Sequence, residues 1–146
     1  MNVTGTIDAI LNQKSGAIWS ISPDATVYDA IAMMAEKNVG ALVVVQDEQL
    51  VGILSERDYT RKVMLRGKRS RETLVKEIMS TQLTTVDLKE SVDDCLRFMT
   101  DKRIRHLPVV EGGAILGIVS IGDLVKYRMD RIEAEAEAMR AYIQGT

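Results

Sequence analysis

The chain has one cysteine, Cys95, and one histidine, His106, among 146 residues. A single cysteine excludes an intramolecular disulfide and suits a reducing compartment. One Cys and one His cannot build a Cys/His zinc site within one chain. No resident metal is expected. No apolar run approaches the roughly 20 residues that span a bilayer. The stretch from Met1 to Leu11 carries polar residues throughout, without the apolar core of a secretion signal. The expectation is a cytoplasmic protein with no membrane partner.

Strong charge of one sign is also lacking. The net charge is −2, whereas a dedicated nucleic-acid binder is normally strongly basic. The local cluster Arg66, Lys68, Arg69, Arg71 is followed by Glu72 and Glu77 and reads as a solvated linker, so no nucleic-acid partner is expected. Gly67-Lys68-Arg69-Ser70 has Lys62 where a phosphate-binding loop needs glycine. No Ser–His–Asp or Cys–His set has supporting spacing, and Cys95 falls on the apolar face of a helix. The chain is expected not to be an enzyme and to hold no catalytic cofactor.

What the sequence does contain is a repeat. Residues 20–64 lie over residues 85–129 at a constant offset of 65 without a gap. Val27 falls on Val92, Asp29 on Asp94, Met34 on Met99, Lys37 on Lys102 and Leu42 on Leu107. Val44-Val45 falls on Val109-Val110, and Gly52, Ile53, Ser55, Asp58 on Gly117, Ile118, Ser120, Asp123. A gapless register that pairs Gly, Ser and Asp marks a duplicated unit.

Each copy reads strand, helix, strand, strand, helix. A short extended piece (Ile18–Ser22; Thr84–Asp87) leads to a helix capped by Thr26 or Ser91. Its apolar positions keep helical spacing: Val27, Ala30, Ile31, Met34, then Val92, Cys95, Leu96, Met99. Ala41–Val45 and Leu107–Val110 are continuous apolar runs, as in strands buried on both faces. Turns at Gln46–Gln49 and Glu111–Ala114 lead into Leu50–Leu54 and Ile115–Val119; Gly112-Gly113 suits a tight hairpin. The closing helices start at Ser-x-x-Asp, a variant of the capping box, and Ile121–Ile143 reads as one long helix. The organisation is an extension (1–17), a first repeat (18–65), a linker (66–83) with helix around Leu74–Met79, a second repeat (84–129) and a helical tail (130–146). The fold class is α/β (α+β), and pseudo-two-fold packing of the repeats into one disc-like module with two equivalent clefts is expected.

Gly-h-x-Ser-x-x-Asp occurs as Gly52-Ile-Leu-Ser-Glu-Arg-Asp58 and again as Gly117-Ile-Val-Ser-Ile-Gly-Asp123. With the doubled strand–helix pattern, it resembles the cystathionine-β-synthase (CBS) domain family, paired as in a Bateman module. The resemblance covers residues 18–128 and is greatest to stand-alone bacterial proteins of the family. It implies a regulatory module binding adenosine-containing ligands: AMP, ADP, ATP, sometimes NAD(H) or S-adenosylmethionine. Carried over, Asp58 and Asp123 would hold ribose, and Ser55 and Ser120 phosphate. Ser20-Ile21, Thr85-Val86, Gly40-Ala41 and Arg105-His106-Leu107-Pro108 would line the adenine slots. The resemblance also implies a homodimer acting on a regulated protein of unknown identity.

Elementary chemistry agrees. A carboxylate accepts two hydrogen bonds at once, as vicinal ribose hydroxyls require, and a helix N-terminus presents N–H donors to phosphate. Gly52 and Gly117 are expected where strand and ligand approach closely. The copies are not equal. Arg57, Arg61 and Lys62 follow the first motif, whereas the second has Arg105 and His106 in place of Gly40 and Ala41. The first site is therefore expected to favour more phosphorylated or dinucleotide ligands. The competing readings are a helix cap without a ligand, a solvated charge run, a structural or interaction dimer with vestigial clefts, and a small nucleotide-handling enzyme. Apolar helix faces near Met33, Met34 and Met99, residues 6–11 and the tail are the expected dimer surfaces.

Overall fold

The computed structural model describes residues 5–14 and 17–145. The chain divides into two compact units. One runs from Ile18 to Thr84; the other joins the N-terminal segment, up to Ala17, to everything from Thr85 onward.

In the first unit, β1 (Ser20–Ile21) pairs in parallel with β2 (Ala41–Gln46), which pairs antiparallel with β3 (Gln49–Ser55). Between β1 and β2 lies α2 (Val27–Lys37), numbered after an N-terminal helix described below. Its start is fixed by Thr26, whose hydroxyl accepts the Asp29 N–H at 3.1 Å. It stops where Asn38 turns left-handed at φ 56°, a conformation Asn tolerates better than most residues. Val27, Ala30 and Met34 on one face are buried with Leu42, Val44 and Leu54 of the sheet. Each large aliphatic side chain so buried contributes on the order of 1.5–3 kcal/mol.

The second unit repeats this at the same offset. Here α5 (Val92–Lys102) is capped by Ser91, which accepts the Asp94 N–H at 3.0 Å, and ends at left-handed Arg103. β4 (His106–Glu111) and β5 (Ala114–Ser120) form the hairpin, with a register shift at Val109/Val110 matching that at Val44/Val45. Cys95 is wholly buried and its thiol is pushed up to about 12, by desolvation first and then by Glu90, Asp94 and Asp87.

The extended leads are shorter than the sequence suggests. Ile18–Ser22 gives two strand residues, and Thr84–Asp87 gives one bridge, Val86 to Val109. The chain turns away at once in both copies. The Ser22 hydroxyl accepts the Asp24 N–H at 3.1 Å, and the Asp87 carboxylate accepts the Lys89 N–H at 2.8 Å. Such side-chain turns compete with continued pairing.

The helix preceding each repeat belongs to the other one. α1 (Ile7–Gln13) lies in the second unit, where Ile7 and Ile10 are core residues. Ile7 and Asp8 donate their N–H groups to Glu90 O and Leu88 O, both at 3.0 Å. α4 (Val75–Ile78) does the same in the first unit: Val75 and Lys76 donate to Ala25 O at 2.9 Å and Pro23 O at 3.0 Å. Ile7 and Ile10 are therefore taken up in the core and are not free for a dimer surface. Met34 and Met99 are not either, being 2% and 1% exposed. In the segment between the repeats Val75 and Ile78 are buried, Arg69 lies 3.7 Å from Glu72, and Arg71 stacks on Tyr28 at 3.8 Å.

The closing helices diverge. In the first unit α3 (Glu56–Tyr59) widens into a π-helical turn, Thr60–Met64, and ends. In the second, α6 runs without a break from Ile121 to Gln144, as the tail's composition predicts.

Candidate functional site

In each unit the motif sits where the last strand meets its helix. Ser55 and Ser120 end β3 and β5 and cap the helices that follow. Their hydroxyls accept the N–H groups of Asp58 (3.2 Å) and Asp123 (3.1 Å). In return each Asp Oδ2 accepts the serine N–H, at 3.0 Å in the first unit and 2.8 Å in the second. The capping box is complete in both copies, with Asp doing the work usual for Glu. The capping role weighed from sequence is thus present, and the carboxylates are held half-buried at fixed positions.

The second strand's entry is tied to the same spot. Gly40 O accepts the Glu56 N–H at 3.0 Å, and Arg105 O accepts the Ile121 N–H at 2.8 Å, the same bond at the offset of 65. Ala41 lies opposite Ser55, and His106 opposite Ser120. So Gly40, Ala41, Ser55 and Asp58 come together in one unit, as do Arg105, His106, Ser120 and Asp123 in the other. Ser20 and Ile21 pair further along β2, at Val43 and Val44. Val86 bonds Pro108 and Val110: its N–H reaches Pro108 O at 3.1 Å, and its carbonyl accepts the Val110 N–H at 2.9 Å. Ala41, Val86 and Pro108 are buried, so their side chains face protein, whereas Ser20, Thr85, Arg57, Arg61 and Arg105 are exposed.

Each aspartate meets one lysine. Lys62 Nζ lies 3.2 Å from Asp58 Oδ1 and donates to Ile78 O at 2.9 Å. Lys14 Nζ lies 2.7 Å from Asp123 Oδ2 and donates to Ile118 O at 2.9 Å. Lys62 comes from the motif helix; Lys14 follows α1. Sequence reasoning missed Lys14, because nothing in its neighbourhood marks it and its partner lies 109 residues away. Burial alone would raise the Asp123 carboxyl, but the Lys14 ammonium and the Ser120 bonds outweigh it and hold the group below its ordinary value. His106 is shifted down, by desolvation first; Asp123 pulls it up, and Lys14 and Arg105 push it down. The net shift favours the neutral imidazole.

The two motif glycines have a different reason from the one their position suggested. A Cβ on Gly52 would lie 2.6 Å from Met79 Sδ and 3.1 Å from Ser80 O, and one on Gly117 would lie 3.0 Å from Leu11 Cδ2. The close approach is by the protein's own exchanged helices. Among the described residues there is no cluster of three or more metal-ligating side chains, and no helix is long and apolar enough to cross a membrane.

A family model described as CBS domain matches residues 15–65 and 75–130. The mitochondrial CBS domain-containing protein CBSX3 of Arabidopsis thaliana is 43% identical over 96% of this chain and 72% of its own length. The crystal structure of the CBS domain of NE2398 superposes with TM-score 0.83 at 45% identity, over 86% of this chain and 98% of that one. The CBS domain pair of MJ0100, solved with 5′-methylthioadenosine and S-adenosyl-L-methionine, superposes with TM-score 0.78 over 88% of this chain and 98% of its own; at 23% identity it speaks for the fold alone.

Proposed function

The chain belongs to the CBS domain family, and from that membership we propose that it is a regulatory module binding one adenosine-containing ligand at each repeat. AMP, ADP, ATP, NAD(H) and S-adenosyl compounds form the ligand class. The observation that carries the reading is the duplicated half-buried carboxylate, held at a helix start beside a lysine ammonium. A carboxylate of this kind accepts both hydroxyls of a ribose, and the adjoining serine, N–H groups and lysine suit phosphate.

Asp58 and Asp123 take ribose, and Ser55 and Ser120 take phosphate. Arg57, Arg61 and Lys62 bias the first site toward longer phosphate chains or dinucleotides. Arg105 and His106 border the second. Ser20, Ile21, Gly40 and Ala41 line the adenine slot of the first site, and Thr85, Val86 and Pro108 that of the second. The module has no catalytic step: ligand shifts it between states that a partner protein distinguishes. A cytoplasmic homodimer is the proposed form.

The test is calorimetric titration of AMP, ATP, NADH and S-adenosylmethionine into the protein, Asp58→Ala and Asp123→Ala. Each substitution should remove or weaken one site about tenfold or more, as loss of a charged hydrogen-bond acceptor costs about 1.5–3 kcal/mol. Absence of binding to all four at millimolar concentration would overturn the proposal in favour of an interaction protein with vestigial sites.

A further inference from the structure

The second half of α6 buries none of its described apolar side chains. Its buried residues are Leu124 and Tyr127, near its start, and every described residue from Met129 onward is exposed. A helix of about 16 residues is marginal in water on propensity alone and is normally held by an apolar face. This one has such a face. Val125, Met129, Ile132, Ala136 and Met139 are spaced 4, 3, 4, 3, and Ile143 follows four further on. That is the a/d alternation of a coiled-coil seam, with Met129 and Ala136 at a and Val125, Ile132 and Met139 at d. Val125, Met129, Ile132 and Met139 are 42%, 63%, 53% and 60% exposed.

The flanking charges select the occupant. Lys126, Glu133 and Arg140 stand at e; Arg128 and Glu135 stand at g. In a parallel, in-register pair each g residue faces the e residue five positions later on the second copy. Arg128 then faces Glu133, and Glu135 faces Arg140, opposite in sign both times. Antiparallel overlap of the whole seam would instead set Lys126 against Arg140 and Glu133 against its own copy. The pairs Lys126–Asp130 (2.9 Å), Arg140–Glu137 (2.8 Å) and Arg128–Asp93 (3.6 Å) engage flanking e and g residues within one chain but leave the apolar rows uncovered.

We propose that the α6 seam, Val125 to Met139, is the docking surface for the α6 of a second copy of this chain, joined as a parallel two-stranded coiled coil. This deepens the homodimer reading by naming the surface and orientation, and is independent of which ligand binds. A two-fold axis along the helices closes the pair.

Two variants test it. Ile132→Asp places a charge in the seam and should weaken self-association at least about a hundredfold by sedimentation equilibrium, with helical far-UV signal lost from the tail alone and the adenosine-ligand titration unchanged, because Ile132 lies outside the unit's core. Met139→Cys should form an intermolecular disulfide in oxidised glutathione: the two facing thiols are oxidised and glutathione is reduced. The parent protein should not, its Cys95 being buried. Dimers that survive Ile132→Asp, or Met139→Cys chains that do not cross-link, overturn the α6 surface while leaving the homodimer reading standing. A monomeric parent overturns both. Loss of ligand binding alone would bear on the ligand proposal only.

Discussion

Lys14 Nζ and Asp123 Oδ2, 109 residues apart in sequence, form a 2.7 Å ion pair that fastens the N-terminal segment to the second motif. The equivalent carboxylate, Asp58, is met by Lys62 at 3.2 Å. At the offset of 65, Lys62 corresponds to Tyr127. The two sites thus place an ammonium at the same carboxylate from non-equivalent positions. The pair holds the Asp123 carboxyl below its ordinary value, so its contribution to stability is present above the unfolded-state value near 4 and is lost as pH falls through the folded one. Lys14→Ala should move the acid-unfolding midpoint, read by circular dichroism, to higher pH. With both side chains about a third exposed, the loss at pH 7 should stay near 1 kcal/mol or less. An unmoved acid midpoint would mean that the pair does not form in solution.

His106 gives a second pH window. Its folded-state value is depressed, chiefly by burial, so the neutral form is favoured in the fold. The associated stability is present above the unfolded value near 6.5 and declines as pH falls below it. Thermal unfolding between pH 7.5 and 5.5 should show this decline in the parent, and His106→Gln should flatten it. Equal slopes in the two proteins would remove His106 as the source.

Most of the fold was legible because the duplication pairs residues that chance does not: Gly52 with Gly117, Ser55 with Ser120, Asp58 with Asp123. Caps at Thr26 and Ser91 and the helical spacing of Val27, Ala30 and Met34 placed α2 and α5. The exchanged helices were hidden for a simple reason. Thr6-Ile7 and Ile10-Leu11 take the places of Leu74-Val75 and Ile78-Met79 at an offset of 68, so a search locked on 65 passes over them. The Lys14 contact has no local signature at all. The π-helical turn after Tyr59 likewise leaves no pattern, since its Thr60–Met64 residues would equally continue an α-helix.

The exchanged helices make the motif glycines unequal. On Gly52 an added methyl meets both Met79 and the backbone carbonyl of Ser80, which is fixed by the Ile53 N–H at 3.0 Å. On Gly117 it meets only the end of the Leu11 side chain, which can rotate. Gly52→Ala should destabilise by about 1–3 kcal/mol and Gly117→Ala by less. Denaturant titration of the two variants decides it; the reverse order would contradict the packing described for α4.

The hairpin turns offer a test within the repeat itself. Asp47 and Glu48 have φ of 51° and 64°, and their counterparts Gly112 and Gly113 have φ of 59° and 83°. Both hairpins therefore turn through two left-handed residues, the geometry that matches the twist of paired strands. A side chain in that region costs roughly 1–2 kcal/mol, against roughly 0.5–1 kcal/mol of extra chain entropy that glycine loses on folding. Nothing lies within 4 Å of a Cβ at either glycine, so crowding does not enter. Glu48→Gly should raise stability by about 0.5–1 kcal/mol, and Gly113→Glu should lower it by a similar amount. Denaturation midpoints that move in opposite directions at constant slope would establish that the first hairpin carries backbone strain which the second avoids. A Glu48→Gly protein no more stable than the parent would show that Glu48 makes a compensating interaction in solution.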